Sequence, residues 1–272
     1  MLAIGLPQWT HPLWKKIGLH TLEDYCTYFS CIEGNTTFYA LPHAQTVLRW
    51  RAMSHDHFRF CFKFPATISH QAALQHCQSL TQQFFDTLQP LSDRIGQFWL
   101  QLPARFSPTH LDSLLHFLDQ LPKDFHYAVE VRHPLFFARG KEEKRLNQAL
   151  MTRNINRVML DSRAVHMATT PSTAILEAKQ KKPRLPVHVL ATAQQPMIRF
   201  IGSDDHLTDI TLFEHWLPHL QQWTQDRQPL LFIHTPDMGQ VFILLALLRQ
   251  QFTLIHHALP HLPPMMQQDQ LF

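Results

Sequence analysis

The sequence predicts an α/β protein with a TIM-barrel-like (β/α)8 fold, formed as a single domain over residues 1–258. Eight short apolar segments alternate with longer amphipathic stretches, which is the rhythm of strands joined by helices. Eight strands with helical crossovers are typical of that barrel, and a doubly wound sheet is the second choice. The 272 residues, 45% of them hydrophobic, provide ample material for a core.

The strands follow from runs of apolar and β-branched residues, and the helices from their start signals. Thr21 and Asp24 approximate a capping box, and Ser107 before Pro108 is an N-cap followed by a first helical residue. The predicted strands, in chain order, are Leu2–Leu6, Ser30–Gly34, Phe58–Phe64, Gly96–Leu102, Tyr127–Val131, Arg157–Leu160, Met197–Ile201 and Leu230–Ile233.

Two segments lack this rhythm. Residues 182–196 are rich in proline and are expected to be irregular. Residues 259–272 are rich in proline and glutamine and are interpreted as a flexible tail.

Alternation along the strands assigns their faces. In Phe58–Phe64 four phenylalanines share one face, while Lys63 lies on the other. The outer face of a barrel packs under helices, so the phenylalanines point outward and Lys63 points inward. The same alternation turns Gln101, Glu130 and Arg132 inward.

Composition narrows the range of functions. The net charge of +3 is too small to indicate nucleic-acid binding, which stays undecided. With 7 glycines, the chain contains neither the dinucleotide-binding fingerprint nor the P-loop. The 4 cysteines include no C-x-x-C pair and are expected to be packed, reduced thiols. No apolar run is long enough for a bilayer and no signal peptide is evident, so we expect a cytoplasmic protein with no membrane association.

Polar residues follow each predicted strand, at the ends that converge on one mouth of a barrel. The expected mouth contains three acids, Glu33, Glu130 and Asp161, and three cations, Lys63, Arg132 and Arg199. Of the 20 histidines, strand placement assigns His133, His234 and His70 to the same region. Balanced charges favour ion pairs that position a substrate carboxylate or another anionic group.

Several of these segments closely resemble the motifs of the domain of unknown function 72 family. They are Glu33–Tyr39 (Glu-Gly-Asn-Thr-Thr-Phe-Tyr), Phe60-x-Phe62-Lys63-x-Pro65, Gln101-Leu102-Pro103 and Glu130-x-Arg132-His133. The resemblance extends from the first strand to the eighth and implies a TIM-barrel-like fold, without supplying an activity. Many relatives open with Gly-Thr-Ser-Gly-Trp, where this chain has Gly5–Trp9 (Gly-Leu-Pro-Gln-Trp).

The leading functional hypothesis is an acid–base enzyme, such as a hydrolase or lyase, acting on a small polar anion without a predicted cofactor. Glu130 is the candidate general acid or base, and His133 or His234 the complementary proton carrier. Lys63 would hold an anionic group or form a Schiff base, and Asp161 completes the catalytic candidates. The candidate substrate-binding residues are Trp9, Glu33, Asn35, Tyr39, Gln101, Arg132, Arg199 and His234.

Three alternatives stay open. The six charges could form a purely structural network, or the protein could be a non-enzymatic ligand-binding barrel. A divalent-metal phosphodiesterase is the third alternative, with ligands from Glu33, Glu130, His133, Asp161 and His234, and with His70 as a further candidate.

The last five residues resemble the Gln-x-x-Leu-Phe peptide by which bacterial replication and repair proteins bind the DNA sliding clamp. The match consists of Gln268, Leu271 and Phe272. A tethered peptide with two apolar anchors suits a preformed pocket, so the clamp is a candidate partner.

Overall fold

The computed structural model describes residues 1–169 and 172–264. Strands and helices alternate along the chain, and the nine strands form one sheet in the order β6-β5-β4-β3-β2-β1-β9-β8-β7. The strands are β1 (Ala3–Leu6), β2 (Cys31–Gly34), β3 (Arg59–Lys63), β4 (Ile95–Gln101), β5 (Tyr127–Glu130), β6 (Asn156–Arg157), β7 (Met159–Asp161), β8 (Met197–Ile201) and β9 (Leu230–His234).

Helices occupy most of the connections between the strands. They are α1 (Leu22–Cys26), α2 (Ala44–Met53), α3 (Gln78–Leu88), α4 (Leu111–Asp119), α5 (Lys141–Thr152), α6 (Arg163–Met167), α7 (Thr173–Lys181), α8 (His206–Glu214), α9 (Leu217–Asp226), α10 (Val241–Gln251) and α11 (Thr253–Ala258). Short 3-10 turns supplement them, and residues Thr67–Gln71 form a π-helical turn. The proline-rich segment 182–196 is irregular, as expected.

The prediction of eight strands was wrong in one place. The expected strand Arg157–Leu160 is divided into β6 and β7, separated by Val158. β6 pairs with β5, and the Val158 N–H still donates to Val129 on β5 at 2.9 Å. β7 lies at the other end of the strand order, beside β8. The strand divides because the chain changes its pairing partner at this point. A run of apolar residues indicates a strand but does not specify the strand with which it pairs.

The chain forms two compact units. The first unit contains Met1–Ile32, Leu160–Arg184 and the chain from Ile198 onward, and the second unit contains Glu33–Met159 and Leu185–Met197.

In the second unit, β3 to β6 are parallel neighbours with continuous pairing. The outward face of β3 packs under α2, where the Trp50 ring stacks on Phe62 with centroids 5.8 Å apart. Phe64, just after β3, packs against Phe84 of α3 and Phe117 of α4. This confirms the predicted orientation of the phenylalanine face.

In the first unit, β1 pairs in parallel with β2 and with β9. A Cβ atom on Gly5 would lie 2.3 Å from the Cys31 carbonyl oxygen, so only glycine allows this approach of the two strands. The capping box of Thr21 and Asp24 is present at the start of α1.

The remaining expectations concern burial and the chain end. All four cysteines lie in the described part of the chain and are buried. Among the described helices, none has the length and apolarity needed to cross a bilayer. Leu259 is buried, and the Pro260 carbonyl accepts a hydrogen bond from Arg249. Gln268, Leu271 and Phe272 lie outside the described residues.

Candidate functional site

Polar residues of the second unit lie at the carboxyl ends of four neighbouring strands. Lys63 is the last residue of β3, Gln101 of β4 and Glu130 of β5, while Glu33 precedes the last residue of β2. Gln101 and Glu130 are directly paired in register, and Lys63 pairs with Trp99. Parallel strands bring their carboxyl ends together, so these side chains meet as the sequence predicts.

Two cations converge on one amide oxygen. The Lys63 ammonium donates to Gln101 Oε1 at 2.8 Å, and Arg132 Nη2 donates to the same oxygen at 2.9 Å. Lys63 and Gln101 are buried, and Arg132 is half-buried. We call Lys63 and Arg132 the cation pair.

The two acids of this edge are fixed by neighbours two residues away. Glu130 is 1% exposed, and its Oε1 accepts a hydrogen bond from Arg132 Nε at 2.8 Å, with Arg132 Nη2 forming an ion pair with the same oxygen at 2.8 Å. Glu33 is fully buried, and its Oε1 accepts from Asn35 Nδ2 at 2.7 Å. Asn35 therefore positions a carboxylate within the protein, and its role in substrate binding stays a prediction.

Aromatic rings flank the Lys63 ammonium. Its Nζ lies 3.7 Å from the centroid of Phe38 and 5.0 Å from that of Trp99. Phe38 is held by a 3-10 turn after β2, in which Thr37 Oγ1 donates to the Lys63 carbonyl at 2.6 Å. Ring faces stabilise a cation that is shielded from water. Tyr39, the predicted aromatic residue, is 84% exposed and packs edge-on against Phe38.

His70 lies beside the cation pair, on the π-helical turn that follows β3. Its ring packs edge-on against Phe38, with centroids 5.1 Å apart. Burial, together with the charges of Lys63, Arg105 and Arg132, lowers the pKa of His70 to about 4. The ring is therefore neutral near pH 7.

Sequence reasoning placed His70 in this region only as a possible metal ligand, and it missed Phe38 and Arg105 as contributors. Arg105 lies in the loop after β4 and donates through Nη2 to the His70 carbonyl at 2.6 Å. Phe38 belongs to the Glu33–Tyr39 motif, so its position in that motif was the available signal. Arg105 carries no comparable signal.

His133 begins the 3-10 turn Pro134–Phe137. Its Nδ1 accepts from the Leu135 N–H at 3.3 Å, and its ring packs edge-on near Phe136. One of its two ring nitrogens is thus engaged in capping, while its role as a proton carrier stays a prediction.

In the first unit, Asp161 ends β7 and is 1% exposed. Both of its oxygens accept from Arg163, Oδ1 from Nε at 2.9 Å and Oδ2 from Nη2 at 2.7 Å. The Arg163 N–H donates to Oδ1, and the Trp216 indole N–H donates to Oδ2 at 2.9 Å. Four donors within its own unit hold this carboxylate in place, and its catalytic role stays a prediction.

The other first-unit candidates also lie at or near strand ends. Arg199 lies within β8 and is 3% exposed, and His234 is the last residue of β9 and is 5% exposed. The His234 carbonyl accepts from the Gly202 N–H at 2.9 Å. Trp9 follows β1 and is half-buried.

The sequence also allowed the acids and histidines at the strand ends to bind a divalent metal. Over residues 1–169 and 172–264, no group of three or more His, Cys, Asp or Glu side chains comes together as a possible metal site. The proposed ligand set of Glu33, Glu130, His133, Asp161 and His234 is therefore not assembled there.

The strand–helix alternation and the polar strand ends define an α/β protein of the TIM-barrel-like class. Within that class, the chain belongs to the family described as "Protein of unknown function DUF72", whose model matches residues 3–268. The predicted family and fold class are confirmed.

Relatives and solved structures agree with this assignment. The chain is 54% identical to the UPF0759 protein YecE of Escherichia coli K12 and 53% identical to that of Escherichia coli O157:H7, in each case over 100% of both chains. A crystal structure of a DUF72 family protein from Enterococcus faecalis superposes with a TM-score of 0.69 at 17% identity, covering 98% of this chain and 99% of that one. One from Thermotoga maritima gives 0.66 at 15% identity, covering 92% and 98%.

Proposed function

We propose that the protein binds a small anionic organic molecule at the strand ends of the second unit and acts on it by acid–base chemistry. The observation that carries this proposal is the convergence of Lys63 and Arg132 on the single oxygen Gln101 Oε1. The neutral amide orients both cations toward one point, and Arg132 also pairs with Glu130. Two cations aimed at one point, partly shielded from water, suit a carboxylate or phosphate.

The surroundings of Lys63 support an organic ligand rather than a bare ion. Phe38 and Trp99 place aromatic surface within 5.0 Å of the ammonium. The exposed ring of Tyr39 adjoins Phe38 with centroids 5.2 Å apart. Small-molecule sites typically combine such apolar surface with a few converging polar groups.

Glu130 is the candidate acid–base group of this site. Its carboxylate is almost fully buried, and Arg132 bonds its Oε1 while also donating to Gln101. A ligand anion that bonds Arg132 would therefore come close to Glu130. Proton transfer by a positioned carboxylate of this kind supports hydrolase or lyase chemistry.

Sulfate titration by calorimetry at constant ionic strength tests the anion site. Lys63→Met should weaken sulfate binding about ten- to hundredfold, because a hydrogen bond to a charged group contributes about 1.5–3 kcal/mol. Lys123→Met, which removes the same charge from an exposed residue, should leave binding within about twofold because exposed charges are strongly screened. Equal affinities for the two variants would contradict the proposal.

A second experiment distinguishes an enzyme from a non-enzymatic binding protein. The binding protein remains an alternative because the close Glu130–Arg132 ion pair would suit either function. Anionic metabolites that raise the thermal midpoint would be incubated with wild type and with Glu130→Gln, and turnover followed by NMR. An enzyme loses turnover in Glu130→Gln while ligand binding remains. Binding without turnover in wild type would instead establish a non-enzymatic binding protein.

A further inference from the structure

The turn that carries His70 has an energetically costly conformation. It begins with the π-helical residues Thr67–Gln71, and Ala73, Leu74 and His76 then adopt positive φ angles of 49°, 66° and 49°. Such conformations disfavour residues with a Cβ atom. Strained backbone and π-helical turns are both concentrated at functional sites. These unusual conformations therefore directly follow the turn that carries His70.

Local hydrogen bonds favour one tautomer of the His70 ring. Ser69 Oγ lies 2.8 Å from His70 Nδ1 and 3.2 Å from the Pro65 carbonyl oxygen. A hydroxyl has one hydrogen, and the Pro65 carbonyl can only accept it. Nδ1 then carries the hydrogen that it donates to Ser69 Oγ, and the lone pair of the ring lies on Nε2.

The charged groups that act on His70 come from three successive strand ends. They are Lys63 at the end of β3, Arg105 after β4 and Arg132 after β5. Lys63 and His70 also contact the same Phe38 ring. All three groups are cations, so each one opposes a positive charge on the imidazole.

We propose that His70 is a further catalytic residue, which takes a proton from the bound molecule, and that the anion held by the cation pair makes this transfer favourable. The inference rests on the proposed function of this site. The proton moves from an acidic O–H, N–H or C–H bond of the ligand to His70 Nε2, and the bonding electron pair stays on the ligand. The imidazolium returns the proton in a later step. Ser69 is a positioning residue, which fixes the tautomer.

The charge balance explains the coupling. Without a ligand, the three cations oppose protonation of His70. An anion between Lys63 and Arg132 offsets their positive potential and raises the pKa of His70 from about 4. The coupling is reciprocal, so an anion must bind more tightly when His70 is protonated. A rise of one unit predicts about threefold tighter binding at pH 4.5 than at pH 7.

The test uses sulfate as the probe, because its charge stays constant over this pH range. Sulfate affinity of the full chain would be measured by calorimetry between pH 4.5 and pH 7 for wild type, His70→Asn and His76→Asn. His70→Asn keeps a group that can hydrogen-bond Ser69. His76→Asn is the matched control, because His76 is exposed on the same turn and asparagine tolerates its positive φ. The threefold dependence should vanish only in His70→Asn.

NMR of the histidine rings supplies a second measurement that does not depend on the His70 variant being stable. In wild type, sulfate should raise the titration midpoint of the His70 resonance, and nitrogen shifts at pH 7 should show a protonated Nδ1. Ser69→Ala should change that tautomer while leaving sulfate affinity at pH 7 within twofold.

The outcomes distinguish the two proposals. If sulfate does not bind wild type, or binds Lys63→Met equally well, the anion site itself is refuted. If binding requires Lys63 but its pH dependence persists in His70→Asn, or the His70 midpoint does not move with sulfate, the role of His70 is refuted and the anion site stands.

Discussion

A buried ion pair in the second unit predicts a large loss of stability when Glu143 loses its charge. Glu143, on α5, is 4% exposed, and its carboxylate accepts from Arg157 Nη1 at 2.9 Å and from the Arg139 N–H at 2.8 Å. His188, in the irregular segment, places Nδ1 2.6 Å from Glu143 Oε1. Arg157 is 2% exposed. The variant Glu143→Gln keeps the size of the side chain and removes its charge.

The expected cost follows from the partner that is left behind. In Glu143→Gln the Arg157 guanidinium stays buried without its counter-ion, and breaking such a buried pair costs about 3–5 kcal/mol of unfolding free energy. Glu142→Gln is the matched control, since Glu142 is more exposed than Glu143 and its ion pair with the exposed Lys141 spans 3.9 Å. Exposed pairs contribute about 0–1 kcal/mol, so the control should lose no more than that.

The assay is urea denaturation followed by circular dichroism, repeated across pH. Burial alone would raise the pKa of Glu143, but hydrogen bonds from His188 and Arg139 and the charge of Arg157 lower it below its ordinary value of 4.5. A lowered pKa stabilises the folded state above that ordinary value, and the contribution is lost as pH falls through the folded-state pKa. The difference between wild type and Glu143→Gln should therefore be constant above pH 4.5 and narrow below it. A loss under about 1 kcal/mol, or no larger than that of Glu142→Gln, would refute the reasoning.

Three further predictions test packing, scaffold and tail. In Gly34→Ala the new Cβ would lie 2.5 Å from the Phe62 ring, so chemical denaturation should show a loss of about 1–3 kcal/mol in unfolding free energy. Adding Phe62→Leu should relieve part of this loss, and simple additivity of the two stability changes would contradict the prediction. Asp161→Asn should lose about 2 kcal/mol or more through its bonds to Arg163 and Trp216, whereas the exposed Asp204→Asn should stay within about 0.5 kcal/mol; equal losses would refute the structural role of Asp161. A peptide of residues 262–272 should bind the sliding clamp saturably in fluorescence polarisation, and alanine at Leu271 and Phe272 should abolish binding; no saturation with the unmodified peptide would end the tail hypothesis.

The sequence predicted those parts of the fold in which apolar and polar residues alternate regularly along the chain. The four phenylalanines of Phe58–Phe64 alternate with Arg59, Cys61 and Lys63, and this period of two fixes which face meets a helix. The packing of Trp50 on Phe60 and Phe62 confirms that orientation. The pairing of β6 and β7 depends instead on distant strands, so the division at Val158 left no signal in the local pattern.

The site was predictable to the extent that it lies on strands. Lys63, Gln101 and Glu130 each end a strand, and parallel pairing brings such residues together whatever the loops do. His70 and Arg105 lie on connecting segments, where orientation depends on backbone angles and tertiary contacts. The positive φ values of Ala73 and Leu74 occur at residue types that do not favour them, so this conformation could not be inferred from residue type.

The most instructive comparison is between two motifs that look alike in sequence. Glu130-x-Arg132 and Asp161-x-Arg163 each place an acid at the end of a strand and an arginine two residues later. Arg163 directs both Nε and Nη2 to Asp161, whose Oδ2 also accepts from Trp216. Arg132 bonds Glu130 through one oxygen and shares Nη2 with Gln101, beside Lys63. Arg163 Nη2 also donates to a backbone acceptor, the Leu212 carbonyl, at 3.3 Å. Arg132 instead shares Nη2 with the side-chain oxygen that also accepts from Lys63, and this shared acceptor is the reason that we propose the chemistry at Glu130 rather than at Asp161.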